Sequence, residues 1–369
     1  MDTKTHEKFM RRALSLAKKG EGEVSPNPLV GAVIVKKGKV IGSGWHKRAG
    51  GAHAEIEAIR DCKRKGNSPR GADMYVNLEP CARRFKGKKT PPCCDAIVES
   101  GISGVFTGCK DPNPEVGNAA AILEKNGISV RKGILKTQCE KINEAFFKNM
   151  KTGLPFVILK LSASIDGKIA TRTGNSKWIG NPSQRKMAHS LRKQCDAVLV
   201  GVDTVEKDNP RLDVRLVKTS RQPACVVADS DLRISAKAKL LGRENVIIAA
   251  ESGADGKKAD ALESLGAEVL RVRKNTGDGI VLKDLMKKLY SHGIRSVLIE
   301  GGGKMAASAI REKIVDKMVF FYSPLIIGGD GTDMVAALKT DTIKKAVKLT
   351  FEKTSEIDGT IIVEAYPEF

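Results

Sequence analysis

Aromatic residues are scarce in this chain: 2 Trp, 4 Tyr and 10 Phe make up 4% of 369 residues. That leaves few flat faces on which bases could stack, which argues against a single-strand nucleic-acid binder. There is also no Cys2His2 finger, no RNP-like stretch and no lysine-rich tail, so the usual footprints of nucleic-acid recognition are missing. No apolar run approaches the roughly 20 residues that a membrane-spanning helix needs. Met1 to Gly20 is polar and charged, without the apolar stretch of a secretory signal, so a cytoplasmic protein is expected. No low-complexity segment and no convincing internal repeat is present, so nothing points to a repeat array.

What is present fits a globular enzyme. A length of 369 residues predicts two domains, each large enough for its own core, and a hydrophobic fraction of 41% is that of a folded chain. Lys and Arg number 64 against 43 Asp and Glu, a net charge of +21. Such a surplus suits acidic partners, and with nucleic acid disfavoured a phosphorylated small molecule is the expected one. The eight cysteines are Cys62, Cys81, Cys93, Cys94, Cys109, Cys139, Cys195 and Cys225. In a cytosolic chain they do not form a disulfide framework, and most read as small buried hydrophobes. Cys81 and Cys93 stand apart because each follows a proline in a loop-like stretch.

Periodicity places these residues on elements. Lys4 to Lys19 carries Phe9, Met10, Ala13, Leu14 and Ala17 at helical spacing before a Gly20 stop. Val30–Val35 and Lys39–Trp45 read as a hairpin across Lys37-Gly38. Then come a helix over His53–Lys65, a strand over Met74–Leu78, a basic loop over Glu79–Pro92 and a helix from Cys93 to Glu99, opened by two prolines. Val105–Thr107 (strand), Ala119–Lys125 (helix) and Ile128–Val130 (strand) complete a three-layer α/β domain over residues 1–150. Gly153-Leu154-Pro155 marks the junction with a second domain, 151–369. There, strand-like runs at Phe156–Leu161, Ala197–Val200, Ala224–Ala228, Val246–Ala250, Val269–Val272, Ser296–Ile299 and Met318–Tyr322 alternate with helical segments such as Gln184–Lys193 and Leu282–His292, predicting a mainly parallel sheet. Thr360–Ala365 reads as an antiparallel edge strand.

The chemistry concentrates in the first domain. His53-Ala54-Glu55 opens one helix, Pro80-Cys81 follows a strand and Pro92-Cys93 opens the next helix. One imidazole and two thiolates suit zinc and leave a fourth tetrahedral position for water, whose pKa the metal brings toward neutrality. Glu55 is placed to accept that water's proton and return it to a leaving nitrogen. The pattern is that of zinc deaminases of nucleobases, apart from the longer spacing between cysteines. A closed structural site that recruits Cys94 or Cys62 is the alternative. Neighbouring helical residues diverge by about 100°, which sets Cys94 away from a ligand at Cys93.

Longer stretches carry a resemblance. Asn27-Pro28-Leu29-Val30-Gly31-Ala32-Val33-Ile34-Val35, His46, Ala49-Gly50, His53-Ala54-Glu55, Leu78-Glu79-Pro80-Cys81, Thr90-Pro91-Pro92-Cys93-Cys94 and Asp111-Pro112-Asn113-Pro114 follow in order. So do Lys160 to Ala170, Gly174 to Ile179, Leu191-Arg192, Gly201 with Thr204-Val205, Asp208 to Leu212 and Glu300-Gly301-Gly302. Together they resemble the bifunctional deaminase/reductase family of riboflavin biosynthesis over nearly the whole chain. The resemblance implies an N-terminal cytidine-deaminase-like domain and a C-terminal dihydrofolate-reductase-like domain. It also implies zinc-dependent removal of the 2-amino group of a diaminopyrimidinone bearing a ribosylamino 5-phosphate, then NADPH reduction of the ribosyl to a ribityl chain. Pairing of reductase domains into a dimer or tetramer is implied as well, although Val319, Phe320, Phe321 and Ile362 read equally well as core.

Carried over residue by residue, the resemblance implies zinc on His53, Cys81 and Cys93 with Glu55 catalytic, and substrate contacts at Asn27, Ser176, Arg192, Leu212, Arg215 and Glu300. It implies NADPH contacts at Ser162, Trp178, Thr204, Asp208 and Ser230 and along Gly302, Gly303, Lys304, Met305, Ala306, Ala307 and Ser308, where a helix start offers amides to phosphate. No Gly-x-Gly-x-x-Gly is present, as that fold leads one to expect. Three departures stand out. The segment after Cys81 is three residues longer than usual and lacks the family's histidine, leaving Arg83, Arg84, Lys86, Lys88 or Lys89 to meet phosphate. Gly180 stands where a hydroxyl residue is common, and Ala119 where glycine is. Rival readings are a deaminase of another nucleobase with a degenerate second domain, and a noncatalytic RNA-binding deaminase fold. The latter should have lost Glu55 or a ligand, and it has not.

Overall fold

A computed structural model describes residues 2–83, 90–177, 179–275, 277 and 279–369. The chain divides into two compact units, Met1–Gly153 and Leu154–Phe369.

In the first unit, α1 (Thr3–Ala17) starts where the Asp2 carboxylate accepts from the Thr5 amide at 2.9 Å. It is followed by β1 (Gly31–Lys36), β2 (Lys39–Trp45), α2 (Ala54–Arg64), β3 (Asp73–Leu78), α3 (Cys93–Glu99), β4 (Gly104–Cys109), α4 (Ala119–Lys125) and β5 (Ser129–Arg131). Two further helices close the unit, α5 (Lys136–Lys141) and α6 (Glu144–Thr152). No local signal in the sequence announces them, because both are short and charged and lack a long apolar stripe.

The sheet order is β2-β1-β3-β4-β5, with β1 antiparallel to β2 and β3 and the β3-β4-β5 pairs parallel. Strand alternation splits the core into two layers. Ala32, Ile34, Met74 and Val76 face Ala58, Cys62, Cys94, Ile97 and Leu123 of α2, α3 and α4. Val33, Val35 and Tyr75 face Phe9, Met10, Ala13 and Leu14 of α1. The three-layer expectation therefore holds. A Cβ on Gly44 in β2 would lie 2.4 Å from the Ala58 amide and 2.6 Å from the Ala54 carbonyl. Only glycine lets α2 lie this close to the sheet, and that approach sets the position of the His53 end of the helix.

The second unit runs β6 (Phe156–Ser164), β7 (Lys168–Ala170), α7 (Pro182–Gln194), β8 (Ala197–Gly201), α8 (Val202–Asp208), β9 (Ala224–Ala228), β10 (Val246–Glu251), α9 (Gly256–Ser264), β11 (Ala267–Val272), α10 (Leu282–Ser291), β12 (Ser296–Ile299), α11 (Gly303–Arg311), β13 (Lys317–Ser323), β14 (Thr332–Asp333), β15 (Lys348–Ile357) and β16 (Thr360–Glu368). Nine strands form one sheet in the order β11-β10-β9-β8-β12-β6-β13-β16-β15. It is parallel through β13 and antiparallel in the last two pairs. Both faces are covered, which is why the parallel strands read as unbroken apolar runs. Ala197 and Leu199 face α10 and α11, while Val198 and Val200 face α8 and α9.

The last strand corrects one expectation. Segment 360–365 is antiparallel but not an edge, because β16 pairs with β13 on one side and β15 on the other. The true edge, β15, has the sequence Lys-Leu-Thr-Phe-Glu-Lys-Thr-Ser-Glu-Ile and is mostly solvent-exposed. With neither face fully buried it shows no clean alternation, and charge on such an edge discourages pairing with other chains. Val319, Phe320, Phe321 and Ile362 are buried core.

Candidate functional site

His53 is the residue just before α2, in an extended conformation that swings its ring off the helix axis. Its Nδ1 lies 3.2 Å from the Cys93 sulfur and 3.6 Å from the Cys81 sulfur. All three donor atoms fall within 4.8 Å of one another. Tetrahedral zinc with ordinary Zn–N and Zn–S bonds separates a nitrogen from a sulfur by about 3.5 Å, so the donor set and its spacing fit that ion. Cys81 leaves the end of β3, and Cys93 is the first residue of α3, whose N–H donates to the Cys81 sulfur at 3.2 Å. That contact favours a thiolate.

Cys94 and Cys62 face the other way, into the apolar layer between the sheet and α2, α3 and α4. Burial pushes the Cys94 thiol up to about 12. Among the described residues the metal-capable cluster is His53, Cys81 and Cys93, and the geometry does not enlist Cys94 or Cys62. Glu55 is buried on the first turn of α2 and interacts with Cys93. Burial lifts its carboxyl above the ordinary range and the Cys81 sulfur adds to the lift, against the opposing charge of His53.

The surroundings were less legible. Asn27 donates from Nδ2 to the His46 Nε2 at 3.0 Å, and His46 Nδ1 donates to the Ala52 carbonyl at 3.0 Å. Burial lowers the His46 pKa from its usual value, against the Ala52 hydrogen bond. The segment carrying Asn27 is clamped by two buried amides. Asn143 Oδ1 accepts from the Leu29 amide at 2.7 Å while its Nδ2 donates to the Leu29 carbonyl at 3.0 Å. Asn77 accepts from the Gly31 amide at 2.8 Å and donates to the Leu29 carbonyl at 2.9 Å. Asn77 and Asn143 lie 48 and 114 residues from Leu29, and no local pattern announces them. Of the basic-loop residues, Arg83 is exposed beside Gly117. Arg84, Lys86, Lys88 and Lys89 lie outside the described residues. Ala119 is buried, its amide donating to Glu79 at 3.2 Å.

In the second unit some of the expected residues lie at the carboxyl ends of four adjacent parallel strands, where ligands of open α/β sheets bind. Ser162 lies on β6, Gly201 and Thr204 at the β8–α8 junction, Ser230 just after β9 and Glu300 just after β12. Trp178 lies outside the described residues. The α11 start at Gly302-Gly303 has no side-chain cap and no acidic residue in its first turn, a donor set that suits an anionic group. Along α11, Ala306 and Ala307 are fully buried, and the Ala306 amide donates to the Gly302 carbonyl at 3.1 Å. Met305 packs on the core, Ser308 accepts from Arg311, and exposed Lys304 pairs with Asp203 at 3.5 Å. The Ser230 hydroxyl donates to Asp231 at 2.9 Å. Asp208, Asn209, Pro210, Arg211, Arg215 and Lys239 line an open cleft of about 420 Å³. Ser176 is exposed, and Leu212 is buried with φ of 53°.

Arg192 is engaged differently from a free phosphate clamp. Its Nε and Nη2 donate to the two Glu300 oxygens at 2.8 Å each, and its Nη1 donates to the Asp213 carbonyl at 3.0 Å. Burial alone would raise the Glu300 carboxyl, but the Arg192 hydrogen bonds and charge, with Lys160 beyond, hold it below its usual value. Burial and then Arg192 push Lys160 down, while burial with Arg192 and Arg215 pushes His189 down to about 4. Lys160 and His189 carried no role in the sequence reading. Gly180 also gains a reason: a Cβ there would lie 2.5 Å from Gln184 Oε1, and Gln184 Nε2 donates to the Ser162 hydroxyl at 2.5 Å.

Comparison with known proteins agrees with both halves. Residues 3–109 match the family model "Cytidine and deoxycytidylate deaminase zinc-binding region", and residues 155–363 match "RibD C-terminal domain". The riboflavin biosynthesis protein RibD of Bacillus amyloliquefaciens is 39% identical over 366 residues, 98% of this chain and 96% of the relative. That of Escherichia coli (strain K12) is 33% identical over 364 residues, 95% and 96%. A Thermotoga maritima crystal structure, described as a diaminohydroxyphosphoribosylaminopyrimidine deaminase/5-amino-6-(5-phosphoribosylamino)uracil reductase, is 37% identical with a TM-score of 0.86 over 99% of both chains. Acinetobacter baumannii RibD gives 33% identity and a TM-score of 0.87 over 100% of both. The chain therefore belongs to the RibD family of riboflavin-biosynthesis proteins, a bifunctional enzyme with a zinc-binding deaminase domain followed by a reductase domain that implies a nicotinamide cofactor.

Proposed function

We propose that the first unit deaminates 2,5-diamino-6-ribosylamino-4(3H)-pyrimidinone 5-phosphate by hydrolysis and that the second reduces the product's ribosyl group to ribityl with NADPH. The observation that carries the reading is the convergence of His53 Nδ1 and the sulfurs of Cys81 and Cys93 beside buried Glu55. These three residues would hold zinc, which would supply acidification of a water molecule. Glu55 would take a proton from the attacking water and deliver it to the departing amino nitrogen, so that water and the amine become a ring carbonyl and ammonia. Asn27, oriented by His46, faces the substrate.

In the reductase, the α11 start and Ser162, Trp178, Thr204, Asp208 and Ser230 hold NADPH. Glu300, fixed by Arg192, meets the substrate, with Ser176 and Leu212 beside it and Arg215 in the cleft for its phosphate. NADPH gives a hydride and solvent a proton. Support for these reductase roles is the placement of Ser162, Thr204, Ser230 and Glu300 at or just after the strand ends and the surplus of cations for a doubly phosphorylated cofactor. The eight cysteines are buried and none is in a disulfide, which fits a reducing cytoplasm, and no described helix is long and apolar enough to cross a membrane. Assembly into a dimer or tetramer is part of the same reading and rests on the family resemblance alone.

The test mixes the purified chain with the diaminopyrimidinone phosphate and NADPH and follows ammonia and NADPH together. Equal molar release of ammonia and loss of NADPH is expected. Ammonia without NADPH oxidation by a folded chain overturns the reductase half, and neither signal overturns both.

A further inference from the structure

The Thr90 hydroxyl oxygen lies 3.2 Å from His53 Nε2, on the side of the ring opposite the two sulfurs. We propose that Thr90 is a positioning residue for the metal site: it accepts the Nε2–H of His53 and thereby fixes Nδ1 as the atom offered to zinc. The inference rests on the zinc reading of His53, Cys81 and Cys93 given above.

Three features carry it. An imidazole that ligates through one nitrogen keeps its proton on the other, and that N–H needs an acceptor to hold ring and tautomer. The Nδ1 edge is already committed to sulfur at 3.2 and 3.6 Å, so the acceptor has to stand at Nε2, where Thr90 stands. The His53 side chain does not cap the helix start it precedes. Finally, Thr90 is joined to Cys93 through Pro91 and Pro92 alone. Both rings fix their own φ, and each also restricts the residue before it; Pro92 has φ of −57° at the head of α3. The hydroxyl is thus carried on a stiff three-residue arm from the third ligand back to the first. Hydrogen bond and arm together tie His53 and Cys93 into one unit, which explains how two helix starts 40 residues apart keep their donors in register.

The role predicts a definite signature. Thr90→Val keeps the branched shape and removes the acceptor. In the full-length, zinc-loaded chain, chelator competition should show zinc held about 10- to 100-fold more weakly, the range for lost outer-shell partners of metal-binding histidines. Thr90→Ser, which restores an oxygen, should recover most of it. At saturating zinc the variant's kcat for ammonia release should fall while KM stays near the parent's, because Thr90 is not assigned to substrate.

A second measurement does not depend on the variant folding. Nitrogen-resolved imidazole spectra of the zinc-loaded parent should show His53 with a protonated Nε2 and a metal-bound Nδ1. Unchanged zinc affinity in Thr90→Val, equal losses in Val and Ser variants, or a parent bound through Nε2 would each overturn the assignment. A parent that binds no zinc at all would overturn the site reading and this inference with it, whereas a zinc-loaded parent with an unaffected Val variant would overturn Thr90 alone.

Discussion

In the first unit the proposed chemistry is held by four residues, from two helix starts and the segment after one strand. His53, Glu55, Cys81 and Cys93 are close-packed and largely buried, and three of their donor atoms lie within 4.8 Å. In the second unit the residues assigned to cofactor and substrate are spread over the ends of β6, β8, β9 and β12, a helix start and an open cleft of about 420 Å³. The contrast follows from the tasks. A single ion and one proton shuttle need short, stiff geometry, whereas a dinucleotide and a phosphorylated sugar need a long surface with few but well-placed polar groups. It also explains why a small insertion after Cys81 leaves the ligand cluster assembled: Cys81 precedes the insertion, three residues after β3, and Cys93 opens α3 beyond it.

The comparison can be broken at its strongest point by Glu55→Gln. Ammonia release should fall by about 10² to 10⁴-fold, as for loss of a general acid–base group, with zinc retained by metal analysis. NADPH oxidation on pre-deaminated substrate should stay at the parent rate. A parallel loss in the reductase assay would show that the two sites are not built from separate residues.

The second unit is tested by Arg192→Leu. The guanidinium is the main compensation for the buried Glu300 carboxylate, and removing one partner of a buried pair costs about 3–5 kcal/mol. Lys160 offsets part of that, so a loss near 3 kcal/mol in the denaturant unfolding of the second unit is expected. Hydride transfer should be lost while ammonia release continues. An unchanged unfolding midpoint would mean that Glu300 is not held by this pair.

A smaller effect sharpens the electrostatic contrast. His189 Nδ1 accepts from the Arg215 amide at 3.1 Å and faces Arg192, Arg215, Asp213 and Glu300, and burial first and then the two arginines bring its pKa down to about 4. Protonation would place a proton where the hydrogen bond now is. Because the folded value lies below the usual 6.5, the unfolded chain binds more protons between those values. Stability is therefore complete above pH 6.5 and falls as pH drops toward 4. On the order of 2 kcal/mol is at stake. Thermal unfolding at pH 7 and pH 4.5 should show a smaller acid-induced drop in His189→Asn than in the parent; equal drops would remove His189 from the account.

Much of this molecule is written locally. Helix starts at Pro91-Pro92 and at His53, the stop at Gly20 and the apolar runs of the parallel strands can be read from turn chemistry and period alone, since both depend on neighbours within a few residues. The ligand types and their order are legible for the same reason. Other features depend on where distant segments meet. Helix period already separates Cys94 from Cys93, and the packing of α3 on the sheet is what puts Cys94 in the core. Asn77 and Asn143 clamp Leu29 from 48 and 114 residues away, and Arg192 finds Glu300 across 108. β15 became the edge because β16 found partners on both sides. Side-chain period says which face a residue prefers, but not what stands opposite. That is fixed only when the sheet order, which no local signal encodes, brings the elements together.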